Sequence, residues 1–176
     1  MLERCESCGL GIEAGLGEAG ALAALLRAAR ELPGGELDLR LPNRASIQAA
    51  LGGAQWAALE PGRRLYATPA SARALCTRAG LRVEELRWPR RGSGQAWMWQ
   101  TILNAFTFER NFARRARAGD LRPSGLRERL RFAVDALVTV LAALPVAVVS
   151  APLELFAALA SRGGELIILA KRIQSR

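Results

Sequence analysis

Two cysteines near the start of the chain have the spacing of a metal-binding knuckle. Cys5 and Cys8 are separated by two residues, and two thiolates at this spacing can take adjacent positions of a zinc tetrahedron. A second pair of ligands is missing, because the chain has no His and its third cysteine, Cys76, falls on the inner face of a predicted helix. We therefore expect no zinc site within one chain, and Cys5 and Cys8 are the metal-ligand candidates that the sequence offers.

Three glycines match the spacing of a dinucleotide-binding turn. Gly15, Gly17 and Gly20 are followed about twenty residues later by Asp38. Such a turn presents backbone N–H groups to a phosphate at a helix N-terminus, and it needs a preceding strand to aim it. Residues 5–14 show no strand pattern, so a glycine-rich lead without a ligand is the alternative. The three glycines are the candidate cofactor-binding residues.

The absence of histidine excludes several classes of site. It removes the Ser-His-Asp and Cys-His catalytic arrangements, the zinc sites that contain His and the imidazole pH switch. An enzyme with this composition has to rely on carboxylates, Arg, Tyr, Cys or the positioning of its substrates.

Four residues between positions 43 and 66 could form a substrate pocket. Asn43 follows a predicted strand, at the edge of an open α/β sheet where ligands usually bind, and Trp56, Arg64 and Tyr66 come later in the chain. The Arg64 guanidinium could hold an anionic group, and the two aromatic rings could stack on a substrate. The alternative is a turn at the end of a strand followed by a packed loop.

The helices that would position these residues are recognisable from apolar periodicity and capping residues. A helix is predicted over 21–32 and a short one over 45–51. Thr68 and Pro69 form a typical helix start, and Gly80 a typical helix end.

The strands follow from alternation and from a short apolar run near the end of the chain. They are predicted at about 36–42, 81–88 and 165–171, and the alternation of the second changes phase at Glu84-Glu85, which indicates a bulge. The first strand alternates leucine with charged residues, so we expect one uncovered face and a free edge. Helices and strands in this order indicate an α/β fold.

The order of several short motifs resembles the latter half of class I S-adenosylmethionine-dependent methyltransferases. In bacterial members a Pro-Gly-Gly turn leads into the fifth strand and an Asn ends it. A loop Trp, an Arg-His-Leu-Tyr stretch, a Thr-Pro helix start and an Ala-Gly-Phe lead into the sixth strand follow. The motifs of this chain are Pro33-Gly34-Gly35, Pro42-Asn43, Trp56, Arg63-Arg64-Leu65-Tyr66, Thr68-Pro69 and Ala79-Gly80-Leu81. The closing segment 163–172 resembles the family's seventh strand, which is antiparallel and lies between the fifth and sixth.

The resemblance covers about residues 19–176 and implies a partial Rossmann-like methyltransferase sheet with S-adenosylmethionine as cofactor. It implies one truncated domain at 19–176 with a helical apolar insertion at 95–160, after a glycine-rich lead at 1–18. The strands and the glycine-rich turn that hold the cofactor in the family have no counterpart, and Arg64 stands where relatives have His. The expected function is a methyltransferase-like protein that is truncated or degenerate, with impaired cofactor binding and no assigned catalytic residue.

The chain is strongly basic, with a net charge of +9 and 25 basic residues that are all Arg except Lys171. Such a surface favours anionic partners, although a GC-rich genome would also replace Lys by Arg. Aromatic and Arg residues are interspersed from Trp97 to Arg117, which is typical of contacts to phosphates and bases. No nucleic-acid-binding module accompanies them, so we do not expect nucleic-acid binding.

The segment 136–153 is uncharged and follows many arginines between 110 and 131. We expect Pro145 and Pro152 to interrupt its helix. The segment is just shorter than the roughly 20 residues that cross a bilayer. Spanning a membrane, lying on an anionic membrane surface and packing on the sheet are all open.

The alternative function is therefore a non-catalytic interaction or membrane-peripheral module. It would use apolar helices at 132–160 and the open sheet edge, through which a homo-oligomer could form. Three cysteines and the lack of a signal-peptide pattern predict a cytoplasmic location, with peripheral membrane attachment as an option.

Overall fold

A computed structural model describes residues 2–4, 11–13, 20, 23, 26, 36–59, 66–90 and 92–173. The described strands and α-helices, in chain order, are β1 (Leu2–Arg4), β2 (Gly11–Glu13), β3 (Glu36–Pro42), α1 (Ile47–Gly52), α2 (Pro69–Arg78), β4 (Leu81–Arg87), α3 (Ser93–Asn104), α4 (Phe112–Ala118), α5 (Leu126–Leu159) and β5 (Glu165–Arg172). Most of the predicted helix 21–32 lies outside the described residues. Its residue Leu26 is described as helical and packs on the core.

The main sheet has three strands in the order β3-β5-β4, and β5 is antiparallel to both neighbours. Leu39 of β3 pairs with Ile168 of β5, and the register of β4 shifts between Val83 and Glu85, which confirms the predicted bulge. The α/β class is therefore confirmed at a coarse level. The central, antiparallel position of the last strand is the one that the methyltransferase resemblance implied, but three strands do not establish a Rossmann-like architecture.

The core of the sheet lies beneath α2. Leu37, Leu39 and Leu41 point to the same face of β3, as the alternation predicts, and all three are buried against α2 and the neighbouring strands. Thr68 and Ser71 form a reciprocal capping box at the start of α2, which confirms the predicted helix start.

Cys76 lies on the buried side of α2, as predicted. It is 1% exposed, and burial raises the pKa of its thiol to about 11, so the thiol is protonated at neutral pH. It therefore packs as a small apolar side chain and has no thiolate to offer a metal.

Two expectations about strands need correction. β2 (Gly11–Glu13) pairs with β1, so the expectation of no strand within 5–14 is wrong. A three-residue strand is too short to leave a periodic pattern, and it owes its existence to its hairpin partner. The charged face of β3 is also more covered than expected, because Asp38 and Arg40 are half-buried.

The outer edges of the sheet are formed by β3 and β4. β1 lies close to β3 without joining its sheet. The edge strand β4 carries a bulge and alternating charges, which discourage pairing with another strand. A homo-oligomer that pairs through a sheet edge stays a prediction.

The predicted insertion 95–160 consists of α3, α4 and α5. The long helix α5 continues through Pro145 and Pro152, so the expected interruption at these positions is wrong. A proline in a helix removes one backbone hydrogen bond and needs room for its ring against the preceding turn. Both prolines lie on the exposed side of α5, where this loss leaves the packed side undisturbed.

Candidate functional site

Asn43, the first predicted site residue, lies directly after β3 and is completely buried. Its Nδ2 donates to the Gly163 carbonyl at 2.9 Å, and its Oδ1 accepts from the Ala45 backbone N–H at 3.0 Å. Its own backbone N–H donates to the Gly164 carbonyl at 2.8 Å. Both ends of the side-chain amide therefore bond to the chain itself, and Asn43 fixes the turn against the start of β5.

A buried carboxyl group, which sequence reasoning did not select, lies at the same edge of the sheet. Glu154 of α5 is 1% exposed, and its Oε1 accepts the Gly164 backbone N–H at 2.7 Å. Its Oε2 accepts the Gln48 side-chain amide at 3.3 Å. Burial raises the pKa of Glu154, the two hydrogen bonds oppose this effect, and the charge of the buried Glu165 adds to it.

Glycines make this close packing possible. A Cβ on Gly164 would overlap the side-chain amide of Gln48, and a Cβ on Gly94 would lie 2.7 Å from Oε1 of Glu154. Two features of the sequence could have indicated this buried cluster: the Gly163-Gly164 pair before the last strand, and a single Glu after eighteen uncharged residues. Because both oxygens of Glu154 bond to the chain, we interpret this cluster as the joint that holds α5 to the sheet.

Two of the predicted substrate residues lie against each other. The rings of Trp56 and Tyr66 are 5.6 Å apart and tilted by 52°, and the guanidinium of Arg44 lies 5.9 Å from the Trp56 ring centre. Arg44, next to Asn43 in the chain, was not predicted. Trp56 is fully buried, and its indole N–H has no hydrogen-bond partner among the described residues.

Most of the other predicted site residues lie in parts of the chain that the structure does not describe. Arg64, Gly15, Gly17, Cys5 and Cys8 lie outside the described residues. Gly20 is described and is helical and half-buried. The structure therefore brings together Asn43, Trp56 and Tyr66 within one strand-end region, and the other candidates stay predictions.

The outer surface of α5 carries many exposed apolar side chains. By length and composition α5 could cross a membrane, yet only 11% of its most apolar eighteen-residue window is buried. The exposed apolar side chains recur at alternating spacings of three and four residues, which places them in one stripe along the helix. The stripe consists of Leu130, Val134, Leu137, Leu141, Leu144 and Val148.

The opposite side of α5 is fixed to the domain at both ends of its uncharged stretch. Near the first end, the fully buried carboxylate of Asp135 accepts the backbone N–H groups of Phe108 and Glu109 at 2.8 and 2.9 Å. Near the other end, Glu154 binds the lead into β5. Between them, the indole N–H of Trp99 donates to the Ala143 carbonyl at 3.0 Å. The helix is thus held lengthwise against the domain.

Basic and aromatic side chains are exposed beside the N-terminal part of α5. Arg127, Arg129 and Arg131 are exposed on its first turns. The nearby Phe106 and Phe108 rings are also exposed, and the guanidinium of Arg131 lies 5.6 Å from the Phe108 ring centre. Cations and aromatic rings at one end of an apolar stripe are typical of surfaces that meet a membrane interface.

Comparison with known proteins adds no assignment: no family model, curated protein or solved structure matches the chain. Among the described residues, no three His, Cys, Asp or Glu side chains form a group that could hold a metal ion. The described side chains around Trp56 and along α5 are mainly apolar, aromatic or arginine, and they can bind a partner through burial, stacking and charge.

Proposed function

We propose that the chain is a membrane-peripheral protein that lays the apolar stripe of α5 on an anionic membrane surface. The observation that carries this proposal is the exposure of the uncharged stretch 136–153 along one whole side of a helix. An apolar surface of this length on a soluble domain marks a contact with lipid or protein. The exposed arginines of the first turns favour lipid, because they match anionic headgroups.

The attachment of α5 to the domain favours lying on the membrane over crossing it. Asp135 and Glu154 bracket the uncharged stretch, and both are hydrogen-bonded to loops of the domain. A crossing α5 would carry these carboxyl groups and the packed helix α3 into hydrocarbon, at a cost of several kcal/mol. A helix parallel to the surface buries its stripe and leaves those contacts intact.

The energies are sufficient for reversible binding. Full burial of one valine or leucine side chain is worth about 1.5–3 kcal/mol, and each arginine near an anionic surface contributes about 1 kcal/mol. One apolar anchor alone binds marginally, so stable attachment needs a second attraction. Here the apolar stripe of α5 is the anchor, and the arginines of its first turns supply the second attraction.

Flotation with vesicles tests the proposal. We expect the protein to float with vesicles that contain phosphatidylglycerol. It should float less with vesicles of phosphatidylcholine alone, which lack the anionic charge, and less in 0.5 M salt, because salt screens the attraction between the arginines and the headgroups. Protein that stays at the bottom of the gradient with anionic vesicles at low salt would refute the proposal.

A second candidate is the methyltransferase-like function, which the strand order β3-β5-β4 favours. The described residues do not fit a site for S-adenosylmethionine, since β3 runs into Pro42-Asn43 and β4 into Trp88-Pro89 without a glycine-rich turn. We therefore derive no methyl-transfer step. Calorimetry with S-adenosylmethionine tests cofactor binding by the whole chain, and no heat at millimolar cofactor would end this candidate.

A further inference from the structure

A cleft between α3, α4 and α5 contains two adjoining cavities. One has a volume of about 260 Å³ and the other about 410 Å³, and both are lined by Ala96, Trp99 and Arg117. Their combined size is in the range of sites that hold small organic ligands, roughly 300–1,000 Å³. The second cavity reaches Ala147 and Ser150, inside the uncharged stretch of α5.

The apolar wall of the cleft is centred on Trp99. Trp99 stands between the two cavities, and the hydrogen bond from its indole N–H to the Ala143 carbonyl holds the ring between α3 and α5. Trp97, Ala96 and Ala113 extend the wall on one side, and Ala147 extends it on the other. Flat indole rings and small alanines together form a surface that suits a hydrocarbon chain.

The charged side of the cleft is cationic. Arg114 and Arg117 are three residues apart on α4, so they project from one side of the helix, and both line the 260 Å³ cavity. Among the described residues that line the two cavities, none is Asp or Glu. Arg115, on the same helix, lines neither of these two cavities, and it forms an ion pair with Glu109 at 2.7 Å.

These two walls together specify a ligand with an anionic head and an apolar chain. A guanidinium can donate two parallel hydrogen bonds to a phosphate, and two arginines on one side of a helix match the charge of a phosphate monoester. The indole and alanine wall leads from these arginines to Ala147 and Ser150 of α5.

We propose that this cleft binds the phosphate monoester head and the adjoining chain of a single lipid phosphate, drawn from the membrane beside α5. The inference rests on the proposed function for the origin of the ligand. It adds a site with a defined head-group chemistry to what would otherwise be a general affinity for anionic surfaces.

Titration with a soluble lipid phosphate tests the site. Lysophosphatidate, added below its micelle concentration, should change the fluorescence of the cleft tryptophans and saturate, whereas lysophosphatidylcholine should bind at least 10-fold more weakly. Inorganic phosphate tests a soluble source of the same head group, and it should compete only at much higher concentration because it lacks the chain. Equally strong competition by inorganic phosphate would overturn the lipid assignment.

Matched variants distinguish specific binding in the cleft from nonspecific attraction to the positive charge of the protein. Arg117→Gln should weaken lysophosphatidate binding about 5- to 10-fold, as expected for one charge-assisted contact. Arg115→Gln removes the same charge from the same helix outside the cleft. It should change binding less than about 2-fold, because salt partly screens a surface charge that does not contact the ligand. Ala96→Leu, which fills the shared wall, should weaken binding while the circular dichroism spectrum stays unchanged.

Equal losses in the two arginine variants, or equal binding of lysophosphatidylcholine, would overturn the proposal. The outcome is distinguishable from failure of membrane docking. Flotation without saturable lysophosphatidate binding refutes the cleft alone, and lysophosphatidate binding without flotation refutes the docking of α5 alone.

Discussion

The membrane proposal predicts that two leucines of the apolar stripe control vesicle binding. Leu141 and Leu144 are 68% and 74% exposed and lie one turn apart on α5. Changing both to glutamine keeps the helix length and the net charge, and it replaces two apolar side chains by polar ones at the middle of the stripe.

The size of the effect follows from their exposure. Full burial of a leucine side chain is worth about 2 kcal/mol. These leucines have roughly 70% of their surface available for transfer, so each loses about 1.4 kcal/mol of membrane affinity. The two changes together should therefore lower the vesicle partition coefficient about 100-fold, since 1.4 kcal/mol corresponds to about a factor of ten.

The assay is the partition coefficient onto vesicles that contain phosphatidylglycerol, measured over a range of lipid concentrations. The control is the pair Leu51→Gln and Ile173→Gln, two apolar side chains that are 69% and 55% exposed and lie outside α5. Substitutions at such exposed positions change the free energy of unfolding by only about 0.5 kcal/mol. The thermal midpoint should therefore stay within a few degrees in both variants.

A partition coefficient that falls less than about 3-fold in the α5 variant would refute the reasoning. So would an equal fall in the control pair, because the binding surface would then not be the stripe. A large drop in the thermal midpoint of the α5 variant would mean that the two leucines support the fold.

Three further predictions concern the contacts that hold α5 to the domain. Asp135→Ala should lower the free energy of unfolding, measured by chemical denaturation, by about 2–4 kcal/mol, because two backbone N–H groups lose a charged acceptor. The control is Asp120→Ala at an exposed position, which should lower the free energy of unfolding by less than about 0.5 kcal/mol. Glu154 has a folded-state pKa raised above its unfolded value, so its protonated form stabilises the fold fully below about pH 4.5. This contribution declines as the pH rises through the folded-state pKa. The free energy of unfolding of the Glu154→Gln variant, measured over the same pH range, should lack this decline. Gly164→Ala should cost about 2–3 kcal/mol by overlap, and Gln48→Ala in the same chain should recover part of that loss.

Local chemistry allowed much of the fold to be predicted. Leu37, Leu39 and Leu41 alternate with charged residues, Thr68 precedes Pro69, and Gly80 follows a periodic apolar stretch; each pattern acts over only a few residues. The approximate strand limits and the helix start at Thr68 followed from these signals. The bulge at Glu84 was visible as a change of phase in one strand.

Features that depend on distant parts of the chain were not predictable. The hydrogen bond that joins Glu154 to Gln48 crosses 106 positions of sequence, and no pattern around Glu154 identifies this partner. The continuity of α5 through Pro145 and Pro152 depends on which side of the helix faces the domain, which the sequence alone does not define. The candidate site was predictable only as a strand-end region, because Arg44 reaches the Trp56 ring through the fold and no sequence pattern pointed to it.

The sheet order has a consequence for the time course of synthesis. A ribosome makes β3, β4 and all of α5 before β5, the strand that joins the other two. Until β5 emerges, neither β3 nor β4 has its central neighbour, and Glu154 has no Gly164 to bind. The uncharged helix therefore leaves the ribosome ahead of the sheet that later holds it, and a nascent chain would offer its stripe to a membrane or a chaperone before the domain can close.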